Sequence, residues 1–349
     1  MATLTETAYY ARKTIKYGSI SIVALLIFRS FFISFKAYWK KAHPKPPPPP
    51  TVAFGKLPKL SFPSRPNLPP IALRQETITG AFSALPTQAK VYFIPQPAVS
   101  LLAWDKTKAW AKNLGFTKEP ETVETYTLRY TTDTSPKTTL EVNVLTRNFT
   151  LLYDWRNDLE VLYQGTVPSQ DQAISQVKSF LQNADSLTED LIQGPAETIY
   201  FKYENGNLIK PRASSEANFI KVNLFRQSLD GIRILPPNPK DSNVSFLLSS
   251  SSNKKGVLEA KFIHSTISET NYATYPLKDV NTAWGQLASG KGFIANLGDN
   301  PDGKVTVREA YLAYYDSDTP QNFLQPVIVF EGDNDFFAYV PAVSDNWRE

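Results

Sequence analysis

Residues 18–35 read GSISIVALLIFRSFFISF, eighteen residues in which Arg29 is the only charge. As a helix this stretch would rise about 27 Å, close to the roughly 30 Å hydrocarbon thickness of a bilayer. Aromatic residues suited to the two membrane interfaces flank it: Tyr17, Tyr38 and Trp39. We therefore predict one transmembrane helix over residues 15–37, preceded by a short N-terminal tail over residues 1–17.

The predicted anchor is apolar around its whole circumference rather than along one stripe. The side chains expected to face lipid are Ile20, Ile22, Val23, Leu25, Leu26, Ile27, Phe28, Phe31, Phe32 and Ile33. Arg29 is the exception, because an arginine at the bilayer centre costs about 2.5–3.5 kcal/mol on insertion scales. We expect its side chain either to reach the nearer headgroups or to contact a partner within the membrane.

Three alternatives to a retained anchor are weighed against it. A cleaved signal peptide would need small residues before the cleavage point, and SFKAYWKKA at residues 34–42 lacks a good Ala-x-Ala site. A helix lying on the membrane surface would confine its apolar residues to one face. A buried core helix does not suit such a basic, proline-rich flank. The anchor is therefore the favoured interpretation.

The orientation of the anchor is not decided by charge. Three Lys or Arg residues precede the span closely and four follow it, so the positive-inside rule gives no clear answer. A short tail followed by a large C-terminal body is the usual layout of a signal anchor. We expect a cell-membrane protein with its N-terminus inside and its body outside the cytoplasm.

The amino-acid composition argues against several functional classes. The 349 residues include no Cys and 2 His, so a disulfide framework, a thiolate nucleophile and a multi-histidine metal site are not expected. Residues 1–60 carry ten Lys or Arg against one Glu, whereas the remaining 289 carry 27 basic and 32 acidic residues. The body therefore lacks the basic surface of a nucleic-acid-binding protein. We expect no metal, cofactor or nucleic acid.

A proline-rich linker is predicted over residues 40–70. Residues 44–70 contain eleven prolines, including a run at 46–50, which favours polyproline II at about 3.1 Å per residue. Extended fully, this segment would reach ~80 Å. It could bind a proline-recognising domain, but beside a membrane span a stalk that crosses a layer of the cell envelope is favoured.

The body over residues 71–349 is dominated by strand patterns. Apolar and polar residues alternate, as in antiparallel sheets with one buried face; the stretches are 126–130, 140–144, 199–203 and 220–224. Strands at 244–248 and 257–264 flank a polar hairpin loop at 249–256. Turn signals between strands are Asn205-Gly206, Asp230-Gly231, Asp302-Gly303 and 332–334.

Three helical patterns interrupt the strands, at residues 105–114, 169–184 and 278–288. Ser169 is expected to cap the second helix. One-sided sheets need such helices to cover their apolar faces. We predict an α+β fold with two lobes, over residues 71–165 and 166–349, each an antiparallel sheet covered by helices.

The C-terminal part carries a resemblance to a known family. Residues 275–293 read YPLKDVNTAWGQLASGKGF, and three strands follow: VTVREAYLAYYD at 305–316, LQPVIVFEG at 324–332 and FAYVPAV at 337–343. This order resembles the YycH/YycI type of regulatory membrane protein, whose modules are related to PepSY-like domains. The resemblance implies an extracytoplasmic protein that acts by contact with other envelope proteins, as that family does with a sensor kinase. The predicted proline-rich stalk is a departure from the pattern of that family.

Three candidate chemical sites were weighed against structural roles. Residues 298–309, GDNPDGKVTVRE, place Asn300, Asp302 and Glu309 at calcium-loop spacing, but Gly298 stands where Asp is needed, so a tight turn is favoured.

His264 has no G-x-S-x-G nucleophile motif to act with, which favours a structural histidine. A glycosidase pair could come from Asp154, Asp158 and Glu160, with Trp155 stacking on a sugar, although a turn and a packing residue are favoured.

The favoured function is a non-catalytic interaction or regulatory protein that binds a partner in the cell envelope. The alternative is a cell-envelope enzyme acting on glycan or peptide, which would need two carboxylates about 5–9.5 Å apart in a cleft. A passive spacer is the third interpretation.

Overall fold

The computed structural model describes residues 4–42, 48–65, 68–98, 100–163, 166–249 and 256–349. The chain forms two compact units, residues 1–49 and 50–349. The first is a single helix, α1 (Leu4–Ala42), which contains a 34-residue segment, Glu6–Trp39, long and apolar enough to cross a membrane. The predicted apolar helix is confirmed. Most of the predicted tail is helical too, because residues 4–17 contain neither Gly nor Pro.

The second unit contains seventeen strands and five further α-helices within its described residues. The helices are α2 (Leu101–Asn113), α3 (Leu159–Tyr163), α4 (Gln170–Asn183), α5 (Glu189–Gln193) and α6 (Val280–Ala288). The first nine strands are β1 (Ala72–Gln75), β2 (Gln88–Phe93), β3 (Glu121–Glu124), β4 (Thr127–Thr131), β5 (Thr138–Asn143), β6 (Phe149–Tyr153), β7 (Ala196–Glu204), β8 (Asn207–Ile209) and β9 (Phe219–Leu224). The others are β10 (Ile234–Leu235), β11 (Val244–Leu248), β12 (Val257–Phe262), β13 (Ser268–Pro276), β14 (Phe293–Asn296), β15 (Lys304–Tyr315), β16 (Phe323–Gly332) and β17 (Phe336–Pro341).

The strands form two sheets, which confirms the α+β class. The nine-stranded sheet has the order β3-β4-β5-β6-β12-β11-β9-β7-β8, with antiparallel neighbours throughout. The eight-stranded sheet has the order β1-β15-β16-β17-β14, with β10 beside β15 and β2 joining β16 to β13. In this sheet β1 and β10 run parallel to β15, and the other pairs are antiparallel.

Helices α2 and α4 cover one face of the nine-stranded sheet. Helix α4 begins after Ser169, the N-cap that the sequence predicts, and the side chains of Ser169 and Gln172 form a reciprocal capping box. Its buried face, with Val177 and Leu181 fully buried, packs on strand residues such as Val222. The opposite face carries a smaller apolar cluster around the buried Trp155.

The eight-stranded sheet is covered on one face by α6 and on the other by residues of the predicted linker. Leu57 is fully buried, and Phe62 stacks on Phe293 with ring centroids 4.7 Å apart. Thr51, Gly55 and Pro58 also form hydrogen bonds with the sheet. We call residues 51–65 the strap.

The strap differs from the expected stalk over residues 40–70. Apolar residues stand between its prolines and bury against the sheet: Val52, Phe54, Leu57, Leu60 and Phe62. Proline content alone predicts extension, but burial of these side chains outweighs it. Residues 43–47 and 66–67 lie outside the described residues, so the predicted stalk is not tested at these positions.

The sheets also divide the chain differently from the predicted lobes 71–165 and 166–349. Strands on both sides of residue 165 belong to the nine-stranded sheet, and β1 and β2 join the C-terminal strands in the other. In the part of the chain that the structure describes, the chain crosses between the sheets four times: after β2, through a connection that begins at residue 94 and contains α2, and at residues 225–233, 236–243 and 263–267. Alternation along a strand shows which face is buried and not which strand lies beside it, so the pattern could not reveal these crossings.

Local boundaries shift by a few residues. Helix α2 begins at Leu101 rather than 105, α6 begins at Val280 after the capping residue Asp279, and β12 ends at Phe262, before His264. Strands β11 and β12 pair as the predicted hairpin, although most of its loop, 250–255, lies outside the described residues. The short helices α3 and α5 were not expected.

Candidate functional site at the junction of the two sheets

A cleft of about 340 Å³ opens where the chain crosses between the sheets. Two of the four crossings, at residues 94–97 and 263–266, line it. The β5–β6 turn and the β15–β16 connection, residues 317–321, complete the lining. A ligand in this cleft would therefore contact segments that belong to both sheets.

The lining of the cleft is polar but nearly uncharged. Amide and hydroxyl side chains line it together with prolines and two isoleucines. The amide and hydroxyl residues are Gln96, Thr146, Asn148, Ser265, Thr266, Ser317, Thr319 and Gln321. Asp318 supplies the carboxylate, and no Lys or Arg is among the described lining residues. His264 lies at the inner end, where it also lines a small neighbouring cavity.

A buried ion-pair network lies directly behind the cleft. Arg226, on the second crossing of the fold, donates from Nε to Asp190 Oδ2 at 2.7 Å and from Nη1 to Asp316 Oδ1 at 3.3 Å. Its side chain is 7% exposed and that of Asp316 is 9% exposed. Asp190 lies on α5, which precedes β7 of the nine-stranded sheet, whereas Asp316 follows β15 of the eight-stranded sheet. Arg226 therefore joins the two sheets electrostatically.

Further hydrogen bonds hold Asp316 in this position. Its backbone N–H donates to Leu235 O at 2.9 Å, which ties it to β10. Asn243, on the crossing between β10 and β11, donates from Nδ2 to Asp316 O at 2.9 Å and to Oδ2 at 3.3 Å. The carboxylate thus has both a cation and an amide donor, as a buried charge requires.

His264 connects the cleft to this network. Its Nε2 lies 3.0 Å from Asp190 Oδ2 and 3.3 Å from Thr188 Oγ1, and its backbone N–H donates to Asn148 Oδ1 at 2.9 Å. The imidazole is 7% exposed and stacks on Phe262. The sequence interpretation of His264 as a structural histidine agrees with these contacts, although its position between the sheets was not foreseen.

The Asp190 carboxyl is held in its charged form. Burial acts to raise its pKa, but the hydrogen bond from His264, the charge of Arg226 and the hydrogen bond from Thr188 together bring it well below the ordinary value. Four other aspartates also have lowered pKa values, each because a neighbouring Lys or Arg or a backbone N–H stabilises the anion: Asp230, Asp302, Asp333 and Asp345. A carboxyl group that acts as a general acid needs a raised pKa instead.

The carboxylates predicted as a glycosidase pair are used in local structure. Asp158 accepts from Tyr153 Oη at 2.5 Å and from Glu160 N at 3.1 Å, at the start of α3. Asp154 accepts from Asn157 Nδ2 at 2.7 Å. Trp155 is fully buried and donates to Glu259 Oε1 at 2.8 Å, so its ring is not free to stack on a sugar.

The calcium-loop candidate at residues 298–309 forms a turn that leads into β15. Asn300 donates from Nδ2 to Leu297 O at 2.7 Å, and Asp302 accepts from Lys304 N at 3.1 Å. Glu309 lies within β15 itself. Among the described residues, no group of three or more His, Cys, Asp or Glu side chains could hold a metal ion.

The ten predicted anchor residues, 20 to 33, are all exposed along α1, as is Arg29. Their contact with lipid, and any intramembrane partner of Arg29, stay predictions.

Sequence reasoning missed Asp190, Arg226 and Asp316. The available signal was weak: Asp316 directly follows the end of β15, and Arg226 lies two residues after the end of β9. A charged residue at a strand end is usually exposed, so this position alone does not distinguish a buried ion pair from a solvated one.

No protein-family profile and no curated protein sequence matches the chain. Solved structures give weak similarities. An uncharacterized protein from Eubacterium rectale ATCC 33656 is 12% identical, with 74% of this chain and 84% of that chain covered and a TM-score of 0.33. YycH from Bacillus subtilis is 12% identical, with 76% of this chain covered and a TM-score of 0.32. The chain spans 54% of that YycH structure.

Residues 275–343 predicted a resemblance to the YycH/YycI type of protein. A YycH structure is weakly similar to this chain, whereas no protein-family profile matches it. At these TM-scores neither structure assigns a function to the chain.

Proposed function

We propose that this protein is a single-pass membrane protein whose extracytoplasmic body binds a protein partner in the cell envelope and has a regulatory, non-catalytic role. The observation that carries the proposal is the cleft at the junction of the sheets, backed by an ion-pair network that joins them. Occupancy of such a cleft can favour one relative placement of the sheets over another, since a ligand shifts an equilibrium between states that it contacts differently.

The helix α1 supports membrane attachment. Its apolar side chains are exposed over the predicted span, residues 15–37, and burial of that surface in lipid is strongly favourable. A partner helix that carries an acidic residue would also relieve the cost of Arg29 in the membrane.

An enzymatic role has less support from the described residues. The carboxylates Asp154 and Asp158 serve a turn and a helix start, and Asp190 is engaged by Arg226. The imidazole Nε2 of His264 faces Asp190 and Thr188, rather than an activated nucleophile. These arrangements suit binding and stability better than proton transfer.

Photocrosslinking in native membranes tests the proposal. With benzoylphenylalanine at Thr319 in the cleft, we expect one discrete crosslinked envelope protein, and no such product from the same group at Asn205, on the exposed β7–β8 turn. A Ser265→Trp substitution, which fills the cleft, should remove the product. Identical products from both positions, or none from Thr319 in correctly inserted protein, would contradict partner binding at the cleft.

Arg29→Leu tests the membrane part separately. Insertion should be unchanged, because the span becomes more apolar, while co-purification of the crosslinked partner should weaken. Unchanged co-purification would remove Arg29 from the proposed contact.

A further inference from the structure

We propose that the cleft accepts an extended peptide segment of the partner that carries a lysine or arginine side chain, with Asp318 as its ionic contact. This inference rests on the proposed function and adds the chemistry of the bound element. It follows from three features of the cleft: its charge, its hydrogen-bonding groups and the residue types that it lacks.

The charge of the cleft favours a cation. Asp318 is half-buried, and no described residue forms an ion pair with it, whereas the nearby Asp316 and Asp190 are both paired with Arg226. On its other side Asp318 lines a second cavity, of about 240 Å³, together with Arg65 and Lys261. These two cations lie outside the cleft lining, so the cleft itself presents the carboxylate.

Two glutamine side chains of the cleft use their amide nitrogen as a donor to the protein and leave their amide oxygen available to accept a hydrogen bond from a ligand. Gln321 donates from Nε2 to Tyr315 O at 3.1 Å, and Gln96 donates from Nε2 to Asn322 Oδ1 at 3.0 Å. Their Oε1 atoms accept no hydrogen bond from described residues. Peptide N–H groups and ammonium or guanidinium groups are the donors that such acceptors match.

The residue types of the lining disfavour other ligand classes. A phosphate or carboxylate ligand would need Lys, Arg or a helix N-terminus, and the lining offers none of these. A nucleobase or a sugar ring is commonly held by stacking on aromatic rings, and the described lining contains no Phe, Tyr or Trp. Prolines 95, 97 and 320 and isoleucines 94 and 263 suit the apolar parts of a peptide. The volume is at the low end of ligand pockets and fits a short segment.

The test uses three end-blocked pentapeptides, acetyl-Ala-Ser-X-Ser-Ala-amide with X as Lys, Leu or Glu. Binding to the full-length chain in nanodiscs is measured by NMR saturation transfer and titration. We expect the Lys peptide to bind about fivefold more tightly than the Glu peptide at low salt, with the difference shrinking as salt is raised. Asp318→Asn should bring the two affinities within about twofold, because it removes the charge and keeps the shape.

Two further variants separate charge from fold. Asp105→Asn, at an exposed carboxylate of α2 that forms no ion pair with a described residue, should leave the Lys preference unchanged. Thr266→Trp should abolish binding of all three peptides by filling the cleft. Equal or tighter binding of the Glu peptide, a Lys preference that survives Asp318→Asn, or no binding of any peptide would overturn the inference.

The inference and the proposed function fail in different ways. If benzoylphenylalanine at Thr319 still captures one envelope protein while the Lys preference is absent, partner binding stands and the peptide chemistry is wrong. If the Lys preference is present and the crosslink is absent, the cleft binds cationic peptides and the envelope partner is wrong.

Discussion

Among single residues, Arg226 has the largest expected effect on the stability of the junction. It lies between Asp190 and Asp316 with little exposure, and its removal leaves the buried Asp316 charge with the Asn243 amide as its one side-chain partner among the described residues. Arg226→Met should therefore lower the free energy of unfolding by about 3–5 kcal/mol. Urea unfolding of the full-length chain, followed by Trp fluorescence, measures this change.

A surface ion pair supplies the control for Arg226. Lys202 and Glu204 lie 3.5 Å apart with both side chains more than a third exposed, so Lys202→Met should cost under about 1 kcal/mol. The double variant Arg226→Met, Asp316→Leu should be more stable than Arg226→Met alone, since the uncompensated charge is gone. A double variant no more stable than Arg226→Met alone would contradict a buried uncompensated charge as the cause.

The lowered pKa of Asp190 makes the stability of the body dependent on pH. A carboxyl group with a lower pKa in the folded state stabilises it above the ordinary value near 4, and this contribution is lost as the pH falls below that value. Asp190→Asn should lower stability at pH 7 and flatten its fall between about pH 4 and pH 2. Urea midpoints across that range measure the effect, and an unchanged slope in the variant would contradict the assignment.

Among the structural elements, the strap over residues 51–65 is where sequence patterns and packing conflict. Leu57 is fully buried beside Val91 and Tyr275, and its backbone pairs with residue 348 near the C-terminus. Leu57→Ala should therefore lower the free energy of unfolding by about 2–5 kcal/mol, as for other buried leucines. A stalk would tolerate the same change. Thermal and urea unfolding distinguish these cases.

Lys59→Ala is the matched control within the strap. Lys59 is exposed, and its truncation should change stability by no more than about 0.5 kcal/mol. Similar small effects of Leu57→Ala and Lys59→Ala would show that the strap does not contribute to the core in solution.

For the whole molecule, the direction of the chain through the membrane can be mapped because the natural sequence has no Cys. We expect a cysteine at Asn205, on the exposed β7–β8 turn, to react with a membrane-impermeant maleimide in intact cells. A cysteine at Ala8, within the N-terminal part of α1, should react only after lysis. The reverse pattern of labelling would place the body inside the cytoplasm and contradict the proposed function.

Local features of this protein followed from local sequence. The apolar run in α1, the N-cap Ser169 of α4 and the Asn205-Gly206 turn were all predicted, because each depends on residues a few positions apart. Asn205 and Gly206 both adopt positive φ, at 51° and 82°, as a tight hairpin turn requires. The alternation in β4 and β5 likewise predicted strands with one buried face, whereas β9 is buried on both faces and β7 has no fully buried residue.

The tertiary structure alone decided which strands share a sheet, where the strap lies and how the junction is built. Arg226 and Asp316 are ninety residues apart, and Leu57 packs beside residues more than two hundred positions away. Such contacts leave little trace in one sequence, because the burial of a side chain depends on what packs against it and a strand's own pattern does not name its neighbour. The apolar helix α1 and the positions of individual strands were therefore determined by the sequence itself, whereas the cleft and its ion pairs exist only once distant segments meet.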